Sequence, residues 1–267
     1  MPSRARIATA LSRAGKRALP GLIAVAAVAA VGGAGWLGYY WLTTSERFAI
    51  EAVDVRGAQR IDAGRVRELS QIDHGDNVFL VDPSAAARAI EADPWVASAG
   101  VERQLPDRIV IEIEERTPHA IVELGGLYLA DAGGHVFKRA AIELGEGEGL
   151  PLITGLSRDE YLADEGVAQA TIRAALEAAR VYARDGERPS LGEVHVDARS
   201  GITLVTYDSA LALRLGATPA DGIAARLEAF DAAWSALDED ERDAARVIYM
   251  DNETNPDRIT VRFGGKN

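Results

Sequence analysis

The pattern of apolar and polar positions divides the chain into three stretches. From residue 19 to residue 42 there is no charged side chain, and the run Gly21–Leu42 is apolar on every side. A helix needs roughly 20 such residues to cross a ~30 Å hydrocarbon core, so the pattern predicts one membrane span. A second pattern occupies residues 46–117. Ile50, Val53 and Val55 alternate with polar neighbours, which predicts a strand over Phe48–Arg56, broken by Gly57. Asp62 is placed to cap a short helix through Leu69, with Ile61 as a hydrophobic staple. Val78–Val81 is an apolar run expected to be buried. Asp82 followed by Pro83 opens a second helix that ends near Glu91, ahead of Asp93-Pro94. Trp95 and Val96 are large apolar plugs, and Ala99–Gln104 reads as a strand. Ile109, Ile111 and Ile113 then alternate with Val110, Glu112 and Glu114, a strand with one wet face. The predicted order is β-α-α-β-β.

The third stretch, residues 118–263, predicts a mixed β-rich unit. Ala120–Leu124 and Tyr128–Ala130 are joined by Gly125-Gly126, and Asp131–Gly134 turns into His135–Lys138. Leu150–Gly155 contains a short strand. A helix follows, with Ile172, Leu176 and Ala179 inward and Gln169, Arg173 and Arg180 outward. Three short strands fall at 191–196, 202–206 and 211–215. Asp221–Leu237 carries Ile223, Leu227, Phe230 and Trp234 at helical spacing. A strand over 245–251, a polar bend over 252–257 and a last strand, Arg258–Phe263, complete the series. The fold class is α+β. The domain bounds expected are a basic tail (1–18), a transmembrane helix (19–42), a first outer domain (46–117), a second (118–263) and a short tail (264–267).

Charge orients the picture. The net charge of −12 conceals a division: Arg4, Arg6, Arg13, Lys16 and Arg17 precede the apolar run, and the first acidic residue is Glu46. The remaining 24 basic residues face all 41 acidic ones, a net of −17 beyond the run. The positive-inside rule places the N-terminus in the cytoplasm and the bulk outside. An acidic outer part repels nucleic acid and anionic headgroups. A cleaved signal peptide shares the order of basic, apolar and small residues. The length of the run and the aromatic cluster Trp36, Tyr39, Tyr40 and Trp41 favour an anchor. Ala26, Ala30, Ala34 and Gly38 form a small-residue stripe, which an Ala/Gly-rich segment also produces by chance.

Catalytic chemistry is not legible. Without Cys there are no disulfides, thiolates or Cys metal sites. His74, His119, His135 and His195 are scattered without ligand spacing, so structural or surface roles are expected. There is no nucleophile motif or phosphate loop. Asp238–Asp243 reads as the acidic start of a helix. The oxygen-rich Asp251–Asp257 lacks EF-hand spacing, so a plain loop is preferred to a calcium site. No catalytic residue, metal or cofactor is expected.

Four segments carry a family resemblance: Val53–Gly57, Asn77–Asp82, Pro94-Trp95-Val96, and Arg103–Pro118 with its Leu-Pro-Asp and Glu-Arg-Thr-Pro elements. Together they resemble the POTRA module of FtsQ/DivIB cell-division proteins. Tyr128–Phe137 is similar to the strand–turn–strand that opens the β domain of that family. The resemblance implies a non-catalytic divisome scaffold of the inner membrane at the septum, linking early and late septal proteins. It implies FtsB-like and FtsL-like bitopic partners, one helix in the lipid bilayer, no nucleic acid and no small-molecule substrate. Such proteins capture a partner strand near the C-terminus, and here that edge would be Arg258, Ile259, Thr260, Val261, Arg262 and Phe263. Ile259, Val261 and Phe263 are expected to pack inward, while Arg258, Thr260 and Arg262 either face the partner or form the wet face of what is simply the last strand of a sheet. Proline at Thr260 is expected to blunt capture. Two other uses would need further features. A POTRA-containing outer-membrane assembly or secretion factor calls for a series of barrel strands, and an anchored envelope hydrolase calls for a nucleophile or metal cluster.

Overall fold

The computed structural model describes residues 4–217, 220–252, 255 and 258–264, with backbone alone for 4–20 and 220–221. The side chains of the basic flank lie outside this description, as do residues 265–267 of the tail. So do Glu253, Thr254, Pro256 and Asp257 of the polar bend, where the calcium reading falls. The protein is mixed α+β and divides into two compact units, Met1–Glu115 and Arg116–Asn267.

The first unit opens with α1 (Arg4–Thr44), whose segment Gly21–Thr44 is long and apolar enough to cross a membrane. Thr43 and Thr44 end it by donating hydroxyl hydrogen bonds back to the carbonyls of Tyr39 and Tyr40 at 2.9 and 2.6 Å. Ser45 then caps a 3-10 turn, Glu46–Phe48, so Phe48 lies outside the strand that alternation predicts. In the turn its ring meets Trp41 and Phe79 edge-on at 5.5 and 5.0 Å.

The module that follows has the expected order: β1 (Ala52–Arg56), α2 (Ala63–Ser70), α3 (Pro83–Glu91), β2 (Val96–Gln104) and β3 (Arg108–Glu115). Asp62 and Asp82 cap the two helices, each accepting from two backbone N–H groups. Central β3 lies parallel to β1 and antiparallel to β2. Val66, Ile90, Val96, Ile109 and Ile111 form the core between helices and sheet. Two positions depart from the pattern. Val110 is buried because a central strand is shielded by neighbours on both sides, here Asp54 and Glu102 in register. Leu80 is 61% exposed although Val78 beside it is buried. The 78–81 run is a turn closed by Leu80 N–H on the Asn77 carbonyl at 2.9 Å, so its apolar side chains do not share one face.

The second unit is one nine-stranded sheet covered on one face by helices. Its elements are β4 (Ala120–Glu123), β5 (Leu127–Ala130), β6 (Val136–Arg139), β7 (Leu152–Thr154), α4 (Arg158–Ala163), α5 (Glu165–Tyr182), β8 (Leu191–Asp197), β9 (Gly201–Thr206), β10 (Ala212–Gly216), α6 (Ala220–Ala236), α7 (Glu239–Ala244), β11 (Ala245–Tyr249) and β12 (Thr260–Phe263). The spatial order is β12-β11-β10-β9-β8-β7-β4-β5-β6. The pairs β4–β7, β7–β8 and β10–β11 are parallel, the rest antiparallel. Ile172 of α5 and Ile223, Leu227 and Phe230 of α6 meet Ile153, Val194, Leu204, Leu213 and Ile248 in a single core. The opposite face, through Leu152, Thr154, Glu193, His195, Thr203, Val205 and Arg214, is half-buried.

Candidate docking edge

The last strand is positioned by a chain of local signals. Asp238 accepts from Glu241 N–H at 2.8 Å while Glu241 accepts from Asp238 N–H at 3.1 Å, a reciprocal cap that starts α7. Helix α7 feeds β11 directly, and Ile248 buries that strand against the core. Strand β12 then returns antiparallel, with Ile248 opposite Val261 and Tyr249 opposite Thr260. It is the terminal strand of the sheet, and among the described residues no strand pairs with its other side.

Which groups the open side offers follows from the register. Gly264 N–H donates to the Ala244 carbonyl at 2.7 Å, and Phe263 lies opposite Ala245. In an antiparallel strand the N–H and C=O of one residue point the same way and alternate along the chain. Thr260 and Arg262 therefore turn their backbone groups to β11, while Val261 and Phe263 turn theirs to the open side. Proline at Thr260 would break the β11 ladder, so the discriminating position is Val261.

The six candidate residues divide by burial. Ile259 and Val261 pack against the core, and Arg258, Thr260 and Arg262 are exposed. Phe263 does not pack inward as alternation predicts; it is 45% exposed. A bulge between Ala245 and Val247 lies where Phe263 pairs, and bulges re-aim neighbouring side chains. Arg258 and Arg262 form no ion pair among the described residues. Neutral backbone bonds contribute about 1 kcal/mol each, so the few outward bonds of a four-residue strand are a weak grip alone. Burying a ring such as that of Phe263 would add roughly 1–2 kcal/mol to any strand laid against this edge.

The parallel pairing of β7 with β8 assembles one polar cluster that spacing in the chain does not reveal. Thr154 Oγ1 lies 2.5 Å from Glu193 Oε1 and 2.9 Å from His195 Nδ1. The hydroxyl donates to the carboxylate, so its proton is held by Glu193 and not by an imidazole base. The remaining histidines stay apart, and among the described residues no three acidic, His or Cys side chains are placed to share an ion. An open groove of about 680 Å³ between α5 and the β8–β9 turn is mostly apolar, lined by Leu156, Val167, Ala170 and Ile202 among others.

Similarity to known proteins agrees with this architecture. Residues 48–116 match the POTRA domain, FtsQ-type, and residues 120–252 match the C-terminal model of Cell division protein FtsQ/DivIB. The second match stops ahead of β12. Cell division protein FtsQ of Anaeromyxobacter sp. (strain K) is 35% identical over 258 residues, 96% of this chain and 84% of that protein. That of Myxococcus fulvus is 36% identical over 225 residues, covering 84% and 76%. That of Syntrophotalea carbinolica is 37% identical over 207 residues, covering 76% and 70%. On these matches over both units, the chain belongs to the FtsQ/DivIB family of cell division proteins.

Proposed function

We propose that this protein is a non-catalytic divisome scaffold of the inner membrane, with its N-terminus in the cytoplasm and both folded units in the periplasm. It gathers small bitopic partners of the FtsB and FtsL kind at the septum and so links early and late septal proteins. The observation that carries this reading is the terminal position of β12, whose outward Val261 and Phe263 backbone groups form a template for one added strand. Arg258 and Arg262 would steer an acidic segment toward it. Phe263 would be covered by the incoming chain, which accounts for an aromatic ring left half in water.

The test is co-purification of FtsB-like and FtsL-like proteins with full-length protein carrying Val261→Pro. Proline removes an outward donor without deleting a bond to β11. Partner capture should fall about fivefold, the ~1 kcal/mol of one lost backbone bond, while the melting profile of the protein is retained. Capture at wild-type strength would show that β12 is not the docking edge. Imaging of a fluorescent fusion, with depletion, tests the cellular role: midcell rings and filamentous cells are expected.

A further inference from the structure

Outside the span, the first unit leaves two large apolar side chains exposed among its described residues, Leu80 and Leu105, each 61% accessible. Both lie at the end of the unit where α1 enters. The Asn77 side-chain amide donates to the Leu42 carbonyl at 2.8 Å, which holds the 77–80 turn at the level of the last turn of the apolar helix. Val78 N–H donates to the Phe48 carbonyl at 2.8 Å, binding the same turn to the juxtamembrane segment. Leu105 sits in the β2–β3 turn, and Glu51 N–H donates to the Asp107 carbonyl at 2.8 Å, so this turn adjoins the chain as it leaves the helix. Arg103 Nη2 reaches the Val81 carbonyl at 2.6 Å and ties the two turns together. Strands β1 and β3 run in parallel away from this end, leaving Arg56, Ala97 and Glu115 at the other.

The level of the bilayer can be placed against these contacts. Twenty-four helical residues, Gly21–Thr44, rise about 36 Å against a hydrocarbon core of ~30 Å. Leu42 therefore falls at the boundary between acyl chains and headgroups, and so do the groups bonded to it. The aromatic series Trp41, Phe48 and Phe79 bridges helix and module at that depth.

We propose that this end of the first unit rests on the bilayer surface, with Leu80 and Leu105 seated at the headgroup–acyl boundary. The proposal rests on Gly21–Thr44 spanning the membrane and adds a second contact to it. The occupant is lipid because covalent continuity and the Asn77–Leu42 bond hold both leucines beside the bilayer the helix enters. The surroundings carry Glu46, Glu51, Asp76, Asp82 and Asp107 against Arg47 and Arg103, so the contact is apolar and does not depend on anionic lipid. Its effect would be to restrict the tilt of the unit above the membrane, since a single helical attachment becomes a three-point support.

A chain without cysteine allows a direct test. Single variants Leu80→Cys, Leu105→Cys, Ala97→Cys and Val28→Cys of the full-length protein are labelled with an environment-sensitive fluorophore and reconstituted into phosphatidylethanolamine–phosphatidylglycerol vesicles. Val28 lies within the span and reports insertion. Ala97 is exposed at the far end of β2, about 26 Å from Leu105 at ~3.3 Å per residue. Labels at 80 and 105 should be quenched several-fold more by nitroxide lipids than the label at 97, and be shielded from aqueous iodide, with or without phosphatidylglycerol. If they behave like the label at 97 while that at 28 is quenched, the surface contact is refuted and a protein partner becomes the better occupant. If the label at 28 is itself unquenched, the span reading fails and takes the proposal with it.

Discussion

The Glu115 carboxylate, at the last residue of β3, accepts the backbone N–H groups of Gln59, Arg60 and Ile61 at 2.8–3.0 Å. It thereby closes the loop between β1 and α2. Partial burial works against its ionisation, but the three donors outweigh this and hold its pKa below the usual carboxylate value. A depressed folded-state pKa means that the stabilisation is present above the unfolded value of about 4.5 and is lost as pH falls through the folded one. Glu115→Ala should destabilise the first unit by about 1–3 kcal/mol at neutral pH, with the difference from wild type shrinking as pH falls through the depressed folded-state value. Arg60 also stacks over Trp95, 4.2 Å from the ring, so denaturant titration followed by the emission of Trp95, with Trp36, Trp41 and Trp234 replaced by Phe, reads this loop. An unchanged midpoint at pH 7 would assign the three bonds no net value.

Among the elements, an ion pair reinforces the joint between α5, β8 and α6 beside their shared apolar core. Arg188 is 9% exposed and meets Asp231 of α6 through two bonds of 2.7 and 2.6 Å. The same guanidinium donates to the carbonyls of Val181 and Tyr182, closing the end of α5. Asp231→Ala leaves that cation nearly buried without its partner and should cost about 2–4 kcal/mol, read as a lower urea midpoint. Tyr182 beside it donates to the Pro189 carbonyl, and burial raises its hydroxyl pKa to about 12. Its ionisation therefore contributes no pH response near neutrality. Much of this layer was legible in the chain, because caps such as Asp62 and Asp82, the acidic helix start at Asp238–Asp243 and the apolar stripe of α6 are local signals. Helix α4 was not, being six residues long with too little periodicity; its trace was the Ser157–Glu160 capping box. The Thr154–Glu193–His195 cluster, the bulge that exposes Phe263 and the terminal place of β12 were equally hidden. Each depends on which distant strands pair, and alternation within one strand carries no information about its neighbour. The alternation of the last strand was readable; its edge was not.

Across the whole molecule, charge and hydrophobicity are arranged along the chain in a way that a membrane would sort. Five basic side chains precede the apolar helix, no acidic residue appears before Glu46, and the part beyond carries a net −17. Retention of Lys and Arg on the cytoplasmic side acts within about 15–20 residues of a span, which is where all five lie, whereas acidic charge has little influence on topology. The proposed orientation therefore hangs on the flank and not on the large negative charge of the folded units. A reporter that is active only outside the cytoplasm, fused after Asn267, should be active with the wild-type flank. Replacing Arg4, Arg6, Arg13, Lys16 and Arg17 by Gln removes the signal while leaving the helix apolar, and should lower the correctly oriented fraction and hence reporter activity per molecule severalfold. Replacing an equal number of exposed acidic residues beyond the helix, such as Glu239 and Asp240 of α7 with Glu102, Glu143 and Glu148, should leave it unchanged. Were the second set to invert the protein and the first not, the positive-inside account of its orientation would be wrong.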